Sequence, residues 1–366
     1  MTKRTDSLTI AFFGSSLLSA YWNGAATYYR GILEALHRRG HRITFYEPDA
    51  FDRQQHRDIE PPDYATTVVY AADNTGLRDS LRRAAAADVI VKASGVGVFD
   101  EELERMVLEL RKPHTRVVFW DVDAPATLSR VEQNPRDPFR VLIGQYDGVF
   151  TYGGGPPVVN AYTAFGARRC VPVYNALDPA SHYPVPPREE WRVDLALLAN
   201  RMPDREARIA EYFFKPASVM SDRRFLLGGS GWHENVASSP NVHAMGHVYT
   251  RDHNAFNSSP LAVLNVNRQS MAECGYSPPT RIFEAAGAGA CIITDAWEGI
   301  EQFLEPREEC LVAASGEQVA EHLRELTPDR AKQLGKNALR RARECHTYEQ
   351  RAALVERELQ TLFEAG

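Results

Sequence analysis

The sequence has 366 residues, of which 44% are hydrophobic and 25% are charged, and its net charge is −6. This is the composition of an ordinary globular protein, and the length predicts two domains, each with its own core. The acidic balance gives no indication of a nucleic-acid partner, which would favour a basic surface.

The N-terminal segment predicts a β-strand rather than an export signal. Its apolar run covers only residues 8–13 and ends at Gly14, which is short for a secretory core. No stretch reaches the roughly 18 apolar residues that a membrane helix needs. The five cysteines are widely spaced and never form a CxxC pair, which predicts reduced thiols without a zinc site. We therefore expect a cytoplasmic protein without a membrane span.

The first half of the chain alternates apolar strands with amphipathic helices. Strands are predicted at 8–14, 41–48, 88–94, 116–123, 148–154 and 168–175. Helices are predicted at 24–40, 77–87, 100–112 and 156–166, and Asn23 is the predicted N-cap of the first. Apolar strands that alternate with helices predict a parallel sheet covered on both faces.

A segment rich in proline and charge, 176–190, interrupts this pattern and is predicted to be a linker. Strands then follow at 193–200, 224–230, 261–267, 290–295 and 310–313. Helices are predicted near 204–215, 251–258, 278–288, 316–326, 328–345 and 347–366. The predicted fold class is therefore α/β with two doubly wound, Rossmann-like domains at 1–175 and 191–345, and a C-terminal helix at 346–366.

In open α/β sheets, ligands bind beyond the carboxyl ends of the strands. Two such edges facing one another across a cleft would suit a two-substrate enzyme. A periplasmic-type binding protein is the structural rival, but such proteins normally carry an export signal.

The stretch YSPPTRIFEAAGAGACIITDAW (276–297) predicts an anion site at a helix start. Ser277 is the predicted cap, and Pro278 and Pro279 take the first turn, where N–H groups lack intrahelical partners. Arg281 and Glu284 then share one face with Thr280. Arg281 suits a phosphate and Glu284 suits sugar hydroxyls. The alternative is an amphipathic helix with a surface Arg281–Glu284 ion pair, which contributes little to stability.

The run TRIFEAAGAGACIITDAWEGIEQFLEPREECLVA (280–313) closely resembles the donor-site region of GT-B glycosyltransferases. It is most similar to the CgeB-like (spore-maturation-protein-like) branch. Weaker similarities cover 174–185, 195–209 and 346–355. The resemblance implies a GT-B fold in which the C-terminal helix crosses back to the N-terminal domain.

The resemblance also implies residue roles on the donor side. Glu284 matches the glutamate that holds the nucleotide ribose, and the loop Gly275-Tyr276-Ser277 matches backbone around the diphosphate. Arg201 and Arg205 match basic positions that face the phosphates. Gly229 and His247 lie where such enzymes hold the base. Many retaining relatives have a second glutamate where this chain has Tyr276.

Other site residues are predicted from their positions at strand ends. Asn267 and Arg268 follow an apolar strand in the second half. In the first half, the loop after the first strand contributes the predicted substrate-binding residues Gly14, Ser15, Trp22, Asn23 and Gly24. The resemblance places this loop across the cleft from the donor phosphates, with Tyr21, Trp22 and Asn23 near the acceptor. Asp121 and Asp123 end another strand and are predicted to bind the acceptor or to act as a base, with a strand-end turn as the alternative.

Together these patterns predict a hexosyltransferase that moves a sugar from a nucleotide-diphosphate sugar to an acceptor hydroxyl, with Asp121, Asp123 and Arg205 as the catalytic residues. Retention of anomeric configuration and independence of metal follow from the family resemblance. No cofactor or metal is expected, because His243 and His247 share no helix face. The expected acceptor is a small molecule, a glycan or another hydroxyl compound, and the expected state is a monomer or homodimer. The alternatives are a non-catalytic nucleotide- or sugar-binding protein and a GT-B-like epimerase.

Overall fold

The computed structural model describes residues 7–21, 23–232 and 239–365. The chain divides into two compact units. The first comprises Met1–Tyr174 together with Tyr348–Gly366, and the second comprises Asn175–Thr347. Each unit is built around its own parallel sheet, as the alternation of strands and helices predicts.

The first unit contains a seven-stranded sheet in the order β3-β2-β1-β4-β5-β6-β7. Its strands are Thr9–Phe13 (β1), Arg42–Asp49 (β2), Thr66–Ala71 (β3), Val89–Ala93 (β4), Arg116–Asp121 (β5), Gly148–Thr151 (β6) and Cys170–Pro172 (β7). The helices that follow these strands are Ala26–Arg38 (α1), Asn74–Ala84 (α2), Asp100–Glu109 (α3), Ala124–Gln133 (α4) and Gly155–Ala164 (α5). The sequence prediction missed β3, an edge strand in which only Tyr70 is buried.

The second unit contains a six-stranded parallel sheet in the order β10-β9-β8-β11-β12-β13. Its strands are Leu195–Leu198 (β8), Phe225–Gly228 (β9), Val242–Gly246 (β10), Ala262–Asn265 (β11), Ile292–Asp295 (β12) and Leu311–Ala313 (β13). Its α-helices are Pro203–Ile209 (α6), Lys215–Val219 (α7), His253–Ser258 (α8), Gln269–Cys274 (α9), Thr280–Gly287 (α10), Gly316–Glu325 (α11) and Pro328–Cys345 (α12). A π-helical turn, Ala210–Phe214, joins α6 to α7.

The C-terminal helix Tyr348–Glu364 packs on the first unit. Arg39 pairs with Glu349 at 2.6 Å and with Glu356 at 2.5 Å. Gly31 lies against the Tyr348 ring so closely that a Cβ at this glycine would approach a ring carbon to 2.3 Å. Helix α1 therefore needs glycine at this position to accept the C-terminal helix.

Each unit has its own apolar core. In the first unit, Phe12 stacks on Phe45 and contacts Trp120. In the second, Leu197, Phe213 and Phe225 belong to one buried cluster beside the sheet. Among the residues that the structure describes, no helix is long and apolar enough to cross a membrane.

Candidate functional site

The predicted donor-side residues of the second unit lie at one edge of its sheet. Arg201 follows the end of β8, Gly229 that of β9 and His247 that of β10. Asn267 and Arg268 follow the end of β11. Because all six strands are parallel, the structure places these five residues at the carboxyl edge, where open α/β sheets bind ligands.

Two of the edge loops depend on Gly229 for their close approach. Gly229 has a φ of +119°, and a Cβ there would lie 2.0 Å from the carbonyl oxygen of Ala199. The Arg201 amide donates to the carbonyl of Ser230 at 2.9 Å, which joins the same two loops. Any larger residue at Gly229 would therefore force the loops apart and deform this part of the edge.

Arginines from three elements form a basic cluster: Arg205 in α6, Arg268 just before α9 and Arg281 in α10. Burial lowers the pKa of Arg205, and the nearby charges of Arg281 and Arg268 lower it further, whereas Asp204 and Asp295 oppose the shift. Arg268 Nε donates to Asp204 at 2.5 Å, whereas the buried Nε of Arg205 has no hydrogen-bond partner among the described residues. Guanidinium groups that repel one another in a partly buried site favour an anion between them.

A buried aspartate that the sequence analysis did not select organises the same edge. Asp295 ends β12, is fully buried, and pairs with Arg208. It accepts a hydrogen bond from the Asn267 amide at 3.1 Å. Burial raises its pKa, and the Arg208 contact opposes that shift. The position at a strand end was the signal that could have identified it.

The side chain of Asn267 lies at this edge and makes no hydrogen bond to the described residues. The residue is 1% exposed, and neither its Oδ1 nor its Nδ2 has a hydrogen-bond partner among the described residues. A buried amide without partners costs free energy, so such a group is usually satisfied by a ligand or by water.

Helix α10 begins at Thr280, two residues later than the sequence predicted. Pro279 occupies the N-cap position in extended conformation, and the Ser277 hydroxyl donates to the Gly275 carbonyl at 2.9 Å. The predicted cap role of Ser277 is therefore wrong. The physical reason is that a residue before proline avoids the helical region, which keeps Pro278 extended.

Glu284 is the central residue of α10. It is only 9% exposed, so the alternative of a surface ion pair with Arg281 is wrong. Its Oε2 lies 3.4 Å from Arg281 Nη1, and its Oε1 lies 4.0 Å from His182 Nε2. Burial acts to raise the pKa of Glu284, but Arg281, His182 and His253 outweigh it and hold the pKa below its usual value. The carboxylate is therefore ionised at neutral pH.

Two histidines beside Glu284 were not selected by sequence reasoning. His182 lies in the segment predicted to be a linker, and His253 is the first residue of α8. One nitrogen of each ring and a Glu284 oxygen all lie within 4.8 Å of one another. No local pattern could have identified this group, because its members come from three separate parts of the chain.

The loop before α10 is held by Glu298. Tyr276 has a φ of +47°, its amide donates to the Glu298 carbonyl at 2.6 Å, and its hydroxyl donates to Glu298 Oε1 at 3.0 Å. A Cβ at Gly275 would lie 2.9 Å from Glu298 Cβ, and one at Gly299 would lie 2.2 Å from the Tyr276 ring. The Gly275-Tyr276-Ser277 loop is thus fixed by contacts with the 298–299 segment.

In the first unit, the loop after β1 is closed by its own side chains. Ser15 donates to Asn23 Oδ1 at 2.9 Å, and Asn23 Nδ2 donates to the carbonyls of Ser16 and Ser19 at 2.8 and 3.0 Å. The prediction that Asn23 is the N-cap of α1 is wrong, because the helix begins at Ala26. The asparagine side chain instead hydrogen-bonds within the loop.

The other predicted residues of this loop have different surroundings. Gly14 lies against Phe45, where a Cβ would approach the ring to 2.5 Å, whereas Gly24 has open space around it. Trp22 lies outside the described residues. Substrate contacts for these residues stay a prediction.

Asp121 and Asp123 have distinct environments. Asp121 is fully buried and accepts hydrogen bonds from Ser94 at 2.7 Å, from Thr127 at 3.1 Å and from Tyr162. This network already engages the carboxylate, and the catalytic role of Asp121 stays a prediction. Asp123 precedes α4 and is partly exposed, and its role stays a prediction.

Comparisons with known proteins agree with this architecture. Residues 205–357 match a protein family described as "Glycosyl transferase-like". This part of the chain contains Arg205, Asn267, Arg281 and Glu284. Comparison with proteins of curated function finds no match.

Several solved structures have a similar fold. Sucrose-phosphate synthase from Thermosynechococcus elongatus superimposes with a TM-score of 0.71 at 16% identity, covering 98% of this chain and 100% of that one. HepE of Anabaena, solved with UDP and glucose, gives a TM-score of 0.67 at 12% identity, covering 96% and 99%. An alpha-glucosyltransferase solved with UDP and a DNA 13-mer gives a TM-score of 0.66 at 10% identity, covering 98% and 100%. The chain therefore has the GT-B fold of these glycosyltransferases.

Proposed function

We propose that this protein is a glycosyltransferase that moves a sugar from a nucleotide-diphosphate sugar to an acceptor hydroxyl. The observation that carries the proposal is the buried, ionised carboxylate of Glu284, at an edge where Arg205 and Asn267 have buried polar atoms without partners among the described residues. Buried polar groups of this kind gain their hydrogen bonds from a ligand or from water. The match to the glycosyl transferase-like family includes all three residues.

The donor would bind with its ribose on Glu284 and its diphosphate near the start of α10. A carboxylate accepts hydrogen bonds from two neighbouring hydroxyls, and a helix N-terminus favours negative charge. Arg281 and Arg205 would supply charge-assisted contacts to the phosphates, with Arg201 and Arg268 nearby along the same edge. The preferred donor is a UDP-hexose, because the HepE structures contain UDP and UDP-glucose.

The chemistry would depend on how well the departing diphosphate is stabilised. As the bond between sugar and phosphate breaks, negative charge grows on the phosphate oxygens, and fixed positive groups lower the barrier. Arg205 and Arg281 have this role in the proposal. Transfer proceeds with retention and without a divalent metal. On the acceptor side, Asp123, which precedes α4, is more exposed than the buried Asp121 and is the preferred carboxylate.

The first experiment is a thermal-shift screen with UDP, GDP, dTDP, ADP and CMP in the presence of EDTA. A nucleotide at a hundred times its dissociation constant stabilises the folded state by about 2.7 kcal/mol. We expect UDP to give the largest shift and UDP-glucose to be slowly hydrolysed without acceptor. Absence of binding by every nucleotide would contradict the proposal. Binding without transfer or hydrolysis of any donor would favour the non-catalytic alternative.

A further inference from the structure

The cluster of His182, His253 and Glu284 has a composition that nucleotide binding does not require. A ribose needs only the carboxylate, yet two imidazoles converge on it from α8 and from the segment after the first unit. Their ring nitrogens and a carboxylate oxygen lie within 4.8 Å of one another. Both His182 and Glu284 are buried, and His253 is partly buried.

The tautomer of His253 follows from its contact with the backbone. Its Nε2 lies 3.3 Å from the Val248 carbonyl oxygen, and because a carbonyl only accepts, Nε2 carries the proton. In the neutral ring, Nδ1 then has the free lone pair. This Nδ1 is buried and has no hydrogen-bond partner among the described residues. The ring is therefore oriented as metal-bound histidines are, with the far nitrogen donating to a carbonyl.

The two oxygens of Glu284 face different partners. Oε1 lies 4.0 Å from His182 Nε2, and Oε2 lies 3.4 Å from Arg281 Nη1. Arg281 thus lies beside the oxygen that faces away from His182, and Oε1 faces the imidazoles. In metal sites, ligating carboxylates are commonly held in this way by an outer partner.

We propose that Glu284 Oε1, His182 Nε2 and His253 Nδ1 form a binding site for a transition-metal ion of the zinc class. Two imidazoles and one carboxylate suit Zn²⁺ or Co²⁺ and do not suit Mg²⁺ or Ca²⁺, which prefer oxygen ligands. Ligand atoms around a tetrahedral zinc lie about 3.3 Å apart, so small side-chain rotations close the observed distances. A site with three protein ligands keeps its fourth position open.

This site has a consequence that depends on the proposed function. When the metal holds Oε1, only Oε2, which faces Arg281 at 3.4 Å, is left, so Glu284 can no longer accept hydrogen bonds from two ribose hydroxyls with its two oxygens. Zn²⁺ and the nucleotide then exclude one another, and the metal acts as an inhibitor of donor binding. Sugar transfer itself still needs no metal.

The test begins with protein stripped by EDTA and transferred to metal-free buffer. Zn²⁺ is titrated in competition with a chromophoric chelator, and Co²⁺ is added separately to record its visible absorption bands. Wild type is compared with His182→Asn and His253→Ala. The matched control is His243→Ala, which removes an exposed histidine of β10 in the same unit. Thermal unfolding confirms that each variant is folded.

We expect one Zn²⁺ per chain in the wild type and in His243→Ala, with affinity at least about tenfold weaker in the two cluster variants. Co²⁺ should give absorption bands that both cluster variants lose. Equal Zn²⁺ affinity in all four proteins, or no binding by the wild type, would overturn the metal site and leave the histidines as packing around the carboxylate.

UDP titrations separate this inference from the proposed function. UDP binding in EDTA with no zinc site would leave the proposed function standing and refute the metal site. Zinc binding without any nucleotide binding would support the metal site and contradict the proposed function. If both ligands bind, we expect saturating Zn²⁺ to weaken UDP binding at least about tenfold, whereas unchanged UDP affinity would refute mutual exclusion.

Discussion

Four of the polar side chains at the carboxyl edges of the two sheets differ in whether the chain itself supplies their hydrogen-bond partners. At the first sheet, Asp121 accepts three side-chain hydrogen bonds, and Asn23 ties together its own loop. At the second sheet, Asn267 and Glu284 have buried polar atoms without hydrogen-bond partners among the described residues. A strand-end position is therefore insufficient evidence for a ligand site. The informative feature is whether other residues of the chain already form hydrogen bonds with the polar group.

The largest expected effect is a loss of stability on removing Asp121, a carboxylate of the first edge that already accepts hydrogen bonds from the protein. Asp121→Ala leaves the hydroxyls of Ser94, Thr127 and Tyr162 without their buried acceptor, which should lower the stability of the fold by about 3–5 kcal/mol. Urea denaturation measures the loss, and the exposed Asp63→Ala is the control. A change within about 0.5 kcal/mol, the range of ordinary surface substitutions, would show that the network contributes little.

A substitution at the second edge should weaken ligand binding and leave the stability of the fold unchanged. Glu284→Gln removes the charged acceptor for the ribose and should weaken UDP binding by about 1.5–3 kcal/mol while the fold remains intact. Isothermal titration calorimetry with UDP in EDTA measures this effect. Glu273→Gln is the matched control, because this exposed glutamate lies in the neighbouring helix α9. Unchanged affinity in Glu284→Gln would refute the ribose assignment.

A smaller loss of affinity is expected at Asn267. Its amide is buried without a partner among the described residues, so Asn267→Ala should remove neutral hydrogen bonds to the donor and weaken UDP binding by about 0.5–1.5 kcal/mol. The stability of the free protein should stay equal or rise, because an unsatisfied buried group has been removed. A marked loss of stability would instead indicate an internal role for this amide.

The smallest effect is expected at Tyr276. Tyr276→Phe removes one partly exposed hydrogen bond to Glu298 but keeps the ring against Gly299 and the backbone contacts of the loop. Stability should change by no more than about 0.5 kcal/mol, and UDP affinity should be unchanged in calorimetry. A clear loss of affinity would mean that the hydroxyl, and not only the loop backbone, contributes to donor binding.

Sequence reasoning was most accurate where apolar runs are long. It missed β3, in which only Tyr70 is buried, and it placed the start of α10 two residues too early. It also selected Asn23 and Asp121 for ligand contact, although their side chains hold neighbouring backbone and hydroxyl groups. Both are polar residues at or after a strand end, as the prediction assumed, but the sequence does not show how many hydrogen-bond partners each finds within the protein.

The sequence by itself determined the two parallel α/β units and the position of the Thr280–Glu284 face, because hydrophobic periodicity and turn residues act over short distances. The tertiary structure alone decided which polar groups stay unsatisfied. It also brought His182 and His253 to Glu284, since these residues lie far apart in the chain and meet only when α8, α10 and the 176–190 segment pack together. Burial and convergence of this kind depend on the whole fold, and no local pattern encodes them.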